Sequence, residues 1–571
     1  CLNPVFASLE WSPNERFLLY IAEKKEAKKR SFFTENEITD NSQPAITPGT
    51  EFLYKDDWGE DLDGFAHPCV YIVDVESNFT IRAIEIDDMS LGQAFWINEH
   101  SIGFIAWKEA PYRLGLSYCS DRETFLYSQN LSKPNLEPKL LYGNEVKQGI
   151  RFPRMSPDGN FVIFLSSPLA FNYESCRLMK YTFENQTSEI IVDVESSNEQ
   201  FYPLYVPNGL AANCFVGKNR IILDCIHNCQ SVLELIDLNT KERFALNFPL
   251  SCSRILDVKN NIIAILCSAP DAYPTVYLAK LDHNSKQLQY NKVNDAVNEQ
   301  ISDLRFKCDQ IEIEEGNLKI NLHTILISPT SQVNKSSPTI VYSHGGPHSS
   351  FNRGYLLEAH FFAKCGFKVL LTNYRGSTGI NEECVRSIRG SIGDGDIRDL
   401  LTCIQHHDEK GDIDKSKLLL YGWSHSGFQM LHLCGQYPDF GFKACAVSNP
   451  VTDVCTIGEV TDTPDWCWVK SFGGEKAFSL KNVVDAEVLK SFFDKSPMKF
   501  VHQNNTPTLF LLGRLDRRCP LSQGLKYYKA MKACGVNVKC CVYNDNHLLS
   551  KVEVKSDVLM NIIAWFIQHM Q

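Results

Sequence analysis

Two hydrophobic rhythms divide the chain. Over the first stretch, short β-rich runs recur behind an aromatic or apolar residue and a polar turn. Glu10-Trp11-Ser12-Pro13-Asn14 leads into FLLYIA, and Arg154-Met155-Ser156-Pro157-Asp158-Gly159 leads into FVIFLSS. Fainter copies stand at 95–98 before IGFIAW, at 215–219 before IILDC and at 257–261 before IIAILC. Starts at 12, 97, 156, 216 and 258 give spacings of 85, 59, 60 and 42 residues. These sit near the ~40 to 50 residues per blade of a β-propeller, with insertions. The widest gap holds a polar insert, 24–63, which opens with KKEAKKR and reads as an exposed loop with a solvated basic face.

From Leu304 the rhythm changes to strands alternating with helices. TIVYS (339–343), FKVLLTNY (367–374), KLLLYG (417–422), KACAVS (443–448), TLFLLG (508–513) and VKCCVY (538–543) are short, apolar and β-rich. Between or after them, 397–407, 427–437, 521–534 and 552–569 carry apolar residues at three- and four-residue spacing, which predicts helices. The expected architecture is a β-propeller over 1–303, with five visible blades, followed by an α/β-hydrolase domain over 304–571. The second domain should have a mostly parallel, doubly wound sheet. In such sheets reactive groups lie at the carboxyl ends of the strands.

The motifs fall at those ends. Strand KLLLYG runs into Gly422-Trp423-Ser424-His425-Ser426-Gly427 and then a helix, the context of a nucleophile elbow with Ser424 at its tip. Ser426 is a poorer candidate, since Ser424 and Phe428 occupy its flanking positions where glycine is wanted. The remaining partners should follow in the order acid, then histidine. Strand TLFLLG is followed by Asp516 and strand VKCCVY by His547. Asp516 would orient the imidazole, and His547 would take the proton from Ser424 and return it to the leaving amine. Asp545 is a rival acid, but it lies only two residues from the histidine. An oxyanion hole needs two backbone N–H groups. That of His425 follows the nucleophile, and Gly346 in His344-Gly345-Gly346-Pro347 is the natural second donor.

Composition sets the frame for these motifs. A chain of 571 residues and 64.9 kDa calls for at least two domains. The 57 basic and 68 acidic side chains leave a net charge of -11, which disfavours nucleic acid as a partner. Apolar runs such as 262–267 and 562–567 are far shorter than the ~20 residues of a membrane span, so no membrane is expected. Twenty-one cysteines are too sparse for a disulfide scaffold and odd in number, which fits a reducing compartment. Glycosylation triplets such as those at Asn78 and Asn130 are read as unused. Cys225-x-His227-x-Cys229 has zinc-like ligands without a second pair, and His344 lacks a partner at helical spacing, so neither a metal nor another cofactor is expected. Because 1–10 lacks a basic n-region and a long apolar core, and the first residue is Cys1, a fragment or processed form is expected.

Together, HGGPHSSF (344–351), NYRGSTG (373–379), GWSHSGF (422–428), GQYP (435–438), DTPDWC (462–467), DKSP (494–497) and GRLDRRCP (513–520) resemble the acylaminoacyl peptidases, or acylpeptide hydrolases. These belong to the prolyl oligopeptidase family. The resemblance continues upstream through DDWGE (56–60) and GQAFW (92–96), and so covers nearly the whole chain. It implies a cytoplasmic serine exopeptidase that removes N-acylated, usually N-acetylated, residues from short peptides through an acyl-enzyme, with homo-oligomers common among relatives. It places the catalytic roles on Ser424, Asp516 and His547, the oxyanion donors at Gly346 and His425, and a substrate-shaping role on Arg518. Relatives with seven blades and an amino-terminal helix imply that two blades and the helix are missing before Cys1. They also carry Gly-Gly-Ser-His-Gly-Gly at the elbow, so Ser426 should crowd it and alter activity. Two other readings stay open: a dipeptidyl or prolyl peptidase or esterase on this scaffold, and an inactive truncated copy that acts as a binding protein.

Overall fold

The computed structural model describes residues 5–25, 29, 31–33, 49–119, 122–133, 136–144, 147–169, 175–194, 203–248, 250–282, 287–293, 301, 303–330, 337–474, 476, 478–479 and 485–570. It divides into two compact units, one of Cys1–Tyr118 and Arg122–Pro153, the other of Cys119–Asp121 and Arg154–Gln571. Much of the 24–63 insert lies outside the described residues.

The first unit holds two four-stranded antiparallel sheets. One runs Leu9–Trp11, Phe17–Glu23, Pro68–Asp74, Thr80–Ile84, and the other Met89–Asn98, Ser101–Lys108, Thr124–Asn130, Lys139–Tyr142. The recurrent turns lie at the end of the first strand of each sheet. After Leu9–Trp11, for example, the Ser12 hydroxyl accepts the Phe17 N–H at 2.8 Å and closes the turn into the second strand.

In the second unit Ser156 does the same for Phe161, at 3.1 Å, ahead of the antiparallel strands Phe161–Pro168, Arg177–Thr182 and Thr187–Val192. Next, Phe215 bridges to Ile221 beside Arg220–His227, Gln230–Asp237 and Arg243–Leu246. Cys252–Lys259, Ile262–Ala269, Ala272–Leu281 and Leu288–Lys292 follow. Loops of this unit's propeller segment also touch the hydrolase directly. Glu382 accepts the Tyr205 hydroxyl at 2.8 Å, and the Asn373 amide reaches the Cys229 thiol at 2.9 Å.

The hydrolase sheet has eight strands: β1 (Leu304–Glu315), β2 (Leu318–Pro329), β3 (Thr339–Ser343), β4 (Lys368–Asn373), β5 (Leu418–Trp423), β6 (Ala444–Ser448), β7 (Thr508–Gly513) and β8 (Val538–Tyr543). Their order is β1-β2-β4-β3-β5-β6-β7-β8, antiparallel through β1, β2 and β4 and parallel from β4 onward. The helices used below are α1 (Leu357–Lys364), α2 (Gly395–Glu409), α3 (His425–Gln436), α4 (Pro464–Phe472), α5 (Leu521–Ala533) and α6 (Val552–Met570). Alternate residues of the parallel strands feed two cores. Val341, Leu420, Val447 and Phe510 pack under α2, α3 and α5, while Ile340, Leu419, Ala446 and Leu509 pack under α1 and α6. That two-sided burial is why these strands read as continuous apolar runs. Among the described residues no helix is long and apolar enough to cross a membrane.

Candidate active site

β5 ends at Trp423 and α3 begins at His425, so Ser424 alone makes the turn, at φ 57° and ψ −124°. A non-glycine residue there stores on the order of 1–3 kcal/mol of strain, which the flanking strand and helix impose. The turn closes because the Ser424 N–H donates to Ser448 O at 3.0 Å and its carbonyl accepts the Phe428 N–H at 3.1 Å. Glycine is required at 422: a Cβ there would lie 2.4 Å from Ser426 Oγ and 2.6 Å from the Ser426 carbonyl carbon.

Asp516 and His547 meet as the motif order predicts. Asp516 Oδ2 lies 2.7 Å from His547 Nδ1, with both side chains buried. Asp516 Oδ1 accepts the N–H groups of Arg518 and Cys519 at 2.8 and 2.7 Å, which fixes the carboxylate on its loop. The Trp423 ring faces the imidazole edge-on at 6.1 Å between centroids. The Cys519 thiol neighbours both Ser424 and Asp516, and burial holds its pKa well above the usual thiol value, so it stays neutral. Asp545, the rival acid, instead accepts the Asn546 and Lys551 N–H groups at 2.9 and 3.0 Å and caps its own loop.

Asn449 has no motif to announce it, yet it joins three strand ends. Its amide donates to His547 O at 2.9 Å and its carbonyl accepts the Gly513 N–H at 2.7 Å. Its φ of 42°, a conformation asparagine tolerates, makes this reach feasible. The one sequence signal was an Asn-Pro pair directly after strand KACAVS.

The oxyanion candidates are built from opposite sides. His425 is the first residue of α3, whose leading N–H groups have no intrahelical partner, and such ends favour anions. Its ring is tied down, with Nε2 3.1 Å from Asp396 Oδ2. Asp396 also accepts the Gln429 amide at 3.1 Å and the Gly393 N–H at 2.7 Å. These bonds and the imidazole hold the buried Asp396 carboxyl below its ordinary pKa against the cost of desolvation. Gly346 adopts φ 118°, where a Cβ would lie 2.7 Å from the His348 nitrogen. Neighbouring His344 is buried between Ser377 and Tyr374, and burial brings its pKa down to about 3, so it is a neutral core residue.

Ser426, the departure at the elbow, is fully buried but not orphaned. Its hydroxyl lies 2.8 Å from Ser343 Oγ, which donates to Gln429 Oε1 at 2.7 Å. The extra side chain therefore sits in a polar niche rather than against apolar packing. Ser426→Gly is expected to cost about 1 kcal/mol of stability and to leave kcat within about threefold, checked by thermal melting and steady-state kinetics.

Arg518 points its guanidinium at Asp462, at 2.7 and 3.1 Å. Among the described residues two clusters carry metal-type ligands. In Cys225, His227 and Glu234, the acid is already held bidentately by Arg243 at 2.8 and 2.9 Å. In Asp309, His407 and Asp412, the Lys307 ammonium lies 2.6 Å from Asp412 and 3.3 Å from Asp309. Protein cations thus hold the charge a metal would need. Cys229 is not part of the first cluster. Its thiol takes the Asn373 amide, and the Cys225 thiol takes the Tyr205 N–H at 3.2 Å.

Residues 3–305 match the family model described as the acylamino-acid-releasing enzyme N-terminal domain, and 354–571 match the prolyl oligopeptidase family. Propeller-like sheets ahead of an α/β-hydrolase with a serine elbow define a serine peptidase of the prolyl oligopeptidase class. The acylamino-acid-releasing enzyme of Mus musculus is 33% identical over 594 residues, covering 99% of this chain and 79% of its own length. The Pyrococcus horikoshii acylaminoacyl peptidase structure superposes at a TM-score of 0.73 with 16% identity, over 99% of this chain and 82% of its own. An acylaminoacyl peptidase solved with Z-Gly-Gly-Phe-chloromethyl ketone gives 0.72 with 17% identity, over 99% and 81%. The chain belongs to the acylamino-acid-releasing enzyme family.

Proposed function

We propose that this chain is a serine exopeptidase that releases an N-acylated, typically N-acetylated, residue from the amino end of short peptides. The observation that carries the site assignment is the 2.7 Å bond between Asp516 and His547, whose imidazole faces the ring of Trp423, the residue before Ser424. Ser424 Oγ attacks the carbonyl of the acylated residue while His547 takes its proton. The N–H groups of Gly346 and His425 receive the oxyanion, and His547 then protonates the leaving amine. Water hydrolyses the acyl-enzyme by the same route. A peptide-based inhibitor is bound by one structural relative, which supports a peptide as the ligand class here.

The acyl group replaces the ammonium that an aminopeptidase must bind with carboxylates. Asp462 is an acid near Cys519 and the elbow, and Arg518 already neutralises it. This favours a blocked, uncharged amino end, with Arg518 shaping the site through that pair. Acetylated di- and tripeptides are expected to be cleaved at least about 100-fold faster (kcat/KM) than their free-amino counterparts, a difference that losing one desolvated ionic contact supports. Equal rates on both would favour the dipeptidyl or esterase reading.

We place the functional boundary at 303/304. The match to the N-terminal domain ends at 305 and the hydrolase sheet begins at Leu304, which supports it. A cytoplasmic location is supported by the twenty described cysteines, all of which are free thiols.

A further inference from the structure

The loop that carries Gly346 is gripped by one helix at two points. On α4, Trp466 Nε1 donates to Gly346 O at 3.0 Å. One turn further on the same helix, Lys470 Nζ meets His348 Nε2 in a short hydrogen bond. His348 Nδ1 lies 2.9 Å from Gly376 O. A carbonyl can only accept, so Nδ1 carries the proton. An ammonium can only donate, so Nε2 presents its lone pair. The imidazole is therefore neutral, and burial together with the Lys470 charge keeps its pKa well below the ordinary value. It bridges the β4 loop to α4. Lys470 is fully buried and His348 is 4% exposed, an uncommon place for a lysine. His348 lies within the HGGPHSSF stretch, whereas Lys470 lies outside every motif quoted for the site.

The grip matters because Gly346 has no side chain of its own to fix its conformation. At φ 118° it occupies a region that only glycine enters readily, and nothing in its own side chain holds it there. Its N–H serves catalysis only if it is aimed in advance at the position the oxyanion will occupy. Fixing His348 two residues on, and Gly346 O itself, removes the freedom of the peptide planes between them.

We propose that Lys470 is a positioning residue for the oxyanion loop: by holding neutral His348 against α4, it keeps the Gly346 N–H aimed at the reacting carbonyl. This rests on the assignment of Gly346 as a donor in the serine peptidase reading above. Lys470 touches neither substrate nor the reacting atoms, so its loss should weaken transition-state binding without weakening ground-state binding.

The test compares wild type with Lys470→Met, Lys470→Arg and the double variant Lys470→Met/His348→Leu. Losing an oxyanion donor outright costs about 100- to 1000-fold, and misaiming one should cost about 10- to 100-fold in kcat, with KM within about threefold. Affinity for an acetyl-amino-acid trifluoromethyl ketone, whose hemiketal carries the oxyanion, should fall by the same factor as kcat/KM. Affinity for the acetyl-amino-acid product should not change. Lys470→Arg, which keeps a buried donor, should recover part of the loss. The double variant should be no worse than Lys470→Met. A kcat for Lys470→Met within about threefold of wild type, or equal losses in ketone and product affinity, would overturn the proposal. If Lys470→Met does not fold, the double variant, which leaves no buried imidazole nitrogen orphaned, decides by the same two affinities. Wild type that cleaves no acetyl-peptide yet hydrolyses a p-nitrophenyl ester would sink the substrate assignment alone, and the clamp is then read from the ester kcat.

Discussion

Ser424→Ala is expected to lower acetyl-peptide turnover by about a million-fold while the protein stays folded. The hydroxyl is the only group at the elbow tip, and the neighbouring nucleophile cannot replace it. Cys519 is buried, and its thiolate is suppressed by desolvation and by the Asp516 charge. Stability should change little, because the strained φ of 57° is imposed by the β5–α3 turn, and alanine bears it no better and no worse than serine. Acetyl-amino acid release, fluorophosphonate labelling and a thermal melt check all three statements. Turnover retained in this variant would remove Ser424 from the nucleophile role.

Asp516→Asn is the second large effect, about ten-thousand-fold in kcat with little change in KM. The geometry dictates how the amide must sit. The Oδ1 position receives two backbone N–H donors, from Arg518 and Cys519, so only the amide oxygen can occupy it. The NH₂ group is then forced into the Oδ2 position, 2.7 Å from His547 Nδ1 in the native protein. It donates, Nδ1 must accept, and the imidazole proton moves to Nε2, so that the ring offers no lone pair to the Ser424 hydroxyl. Asp545→Asn provides the contrast. That carboxylate caps its own loop through the Asn546 and Lys551 N–H groups, so the variant should keep kcat within about tenfold. Reversed severities would transfer the acid role to Asp545.

Why the two aspartates could be ranked but not separated from the chain alone is a matter of range. Both follow apolar strands, and nothing local reports which carboxylate turns toward the imidazole. The backbone donors that hold each carboxylate are local to it, but the contact that decides, Asp516 to His547, spans 31 residues and joins the loops that follow β7 and β8, which are paired neighbours in the sheet. The same holds for Arg518, whose partner Asp462 lies 56 residues away. Strands β1 and β2 were also not separated out in the sequence. Their hairpin is antiparallel and β1 lies at the sheet edge, half exposed, so its apolar signal is diluted by charged positions. Helix α4 was missed for a related reason: its nine residues offer only about two and a half turns of periodicity, although its Pro464 start and the left-handed Gly473 after its end are ordinary helix punctuation.

Ser426 reverses the direction of the lesson. Read as a sequence, a serine in place of the elbow glycine predicts crowding, because the local rule knows only the size of the side chain. Ser343, 83 residues away in the chain, supplies the polar niche that receives it, together with Gln429 one turn further along the same helix.

By itself the sequence determined the alternation of strands and helices, the serine elbow at 424 and the order serine, acid, histidine. These depend on periodicity, on turn residues and on chain order, all of which are local. Tertiary structure alone decided which acid meets His547, that Arg518 is spent on Asp462, that Asn449 ties the strand ends together and that α4 grips the Gly346 loop. Each of those depends on a hydrogen-bond partner brought near by packing, and a partner distant in the chain leaves no trace in the residue it will meet.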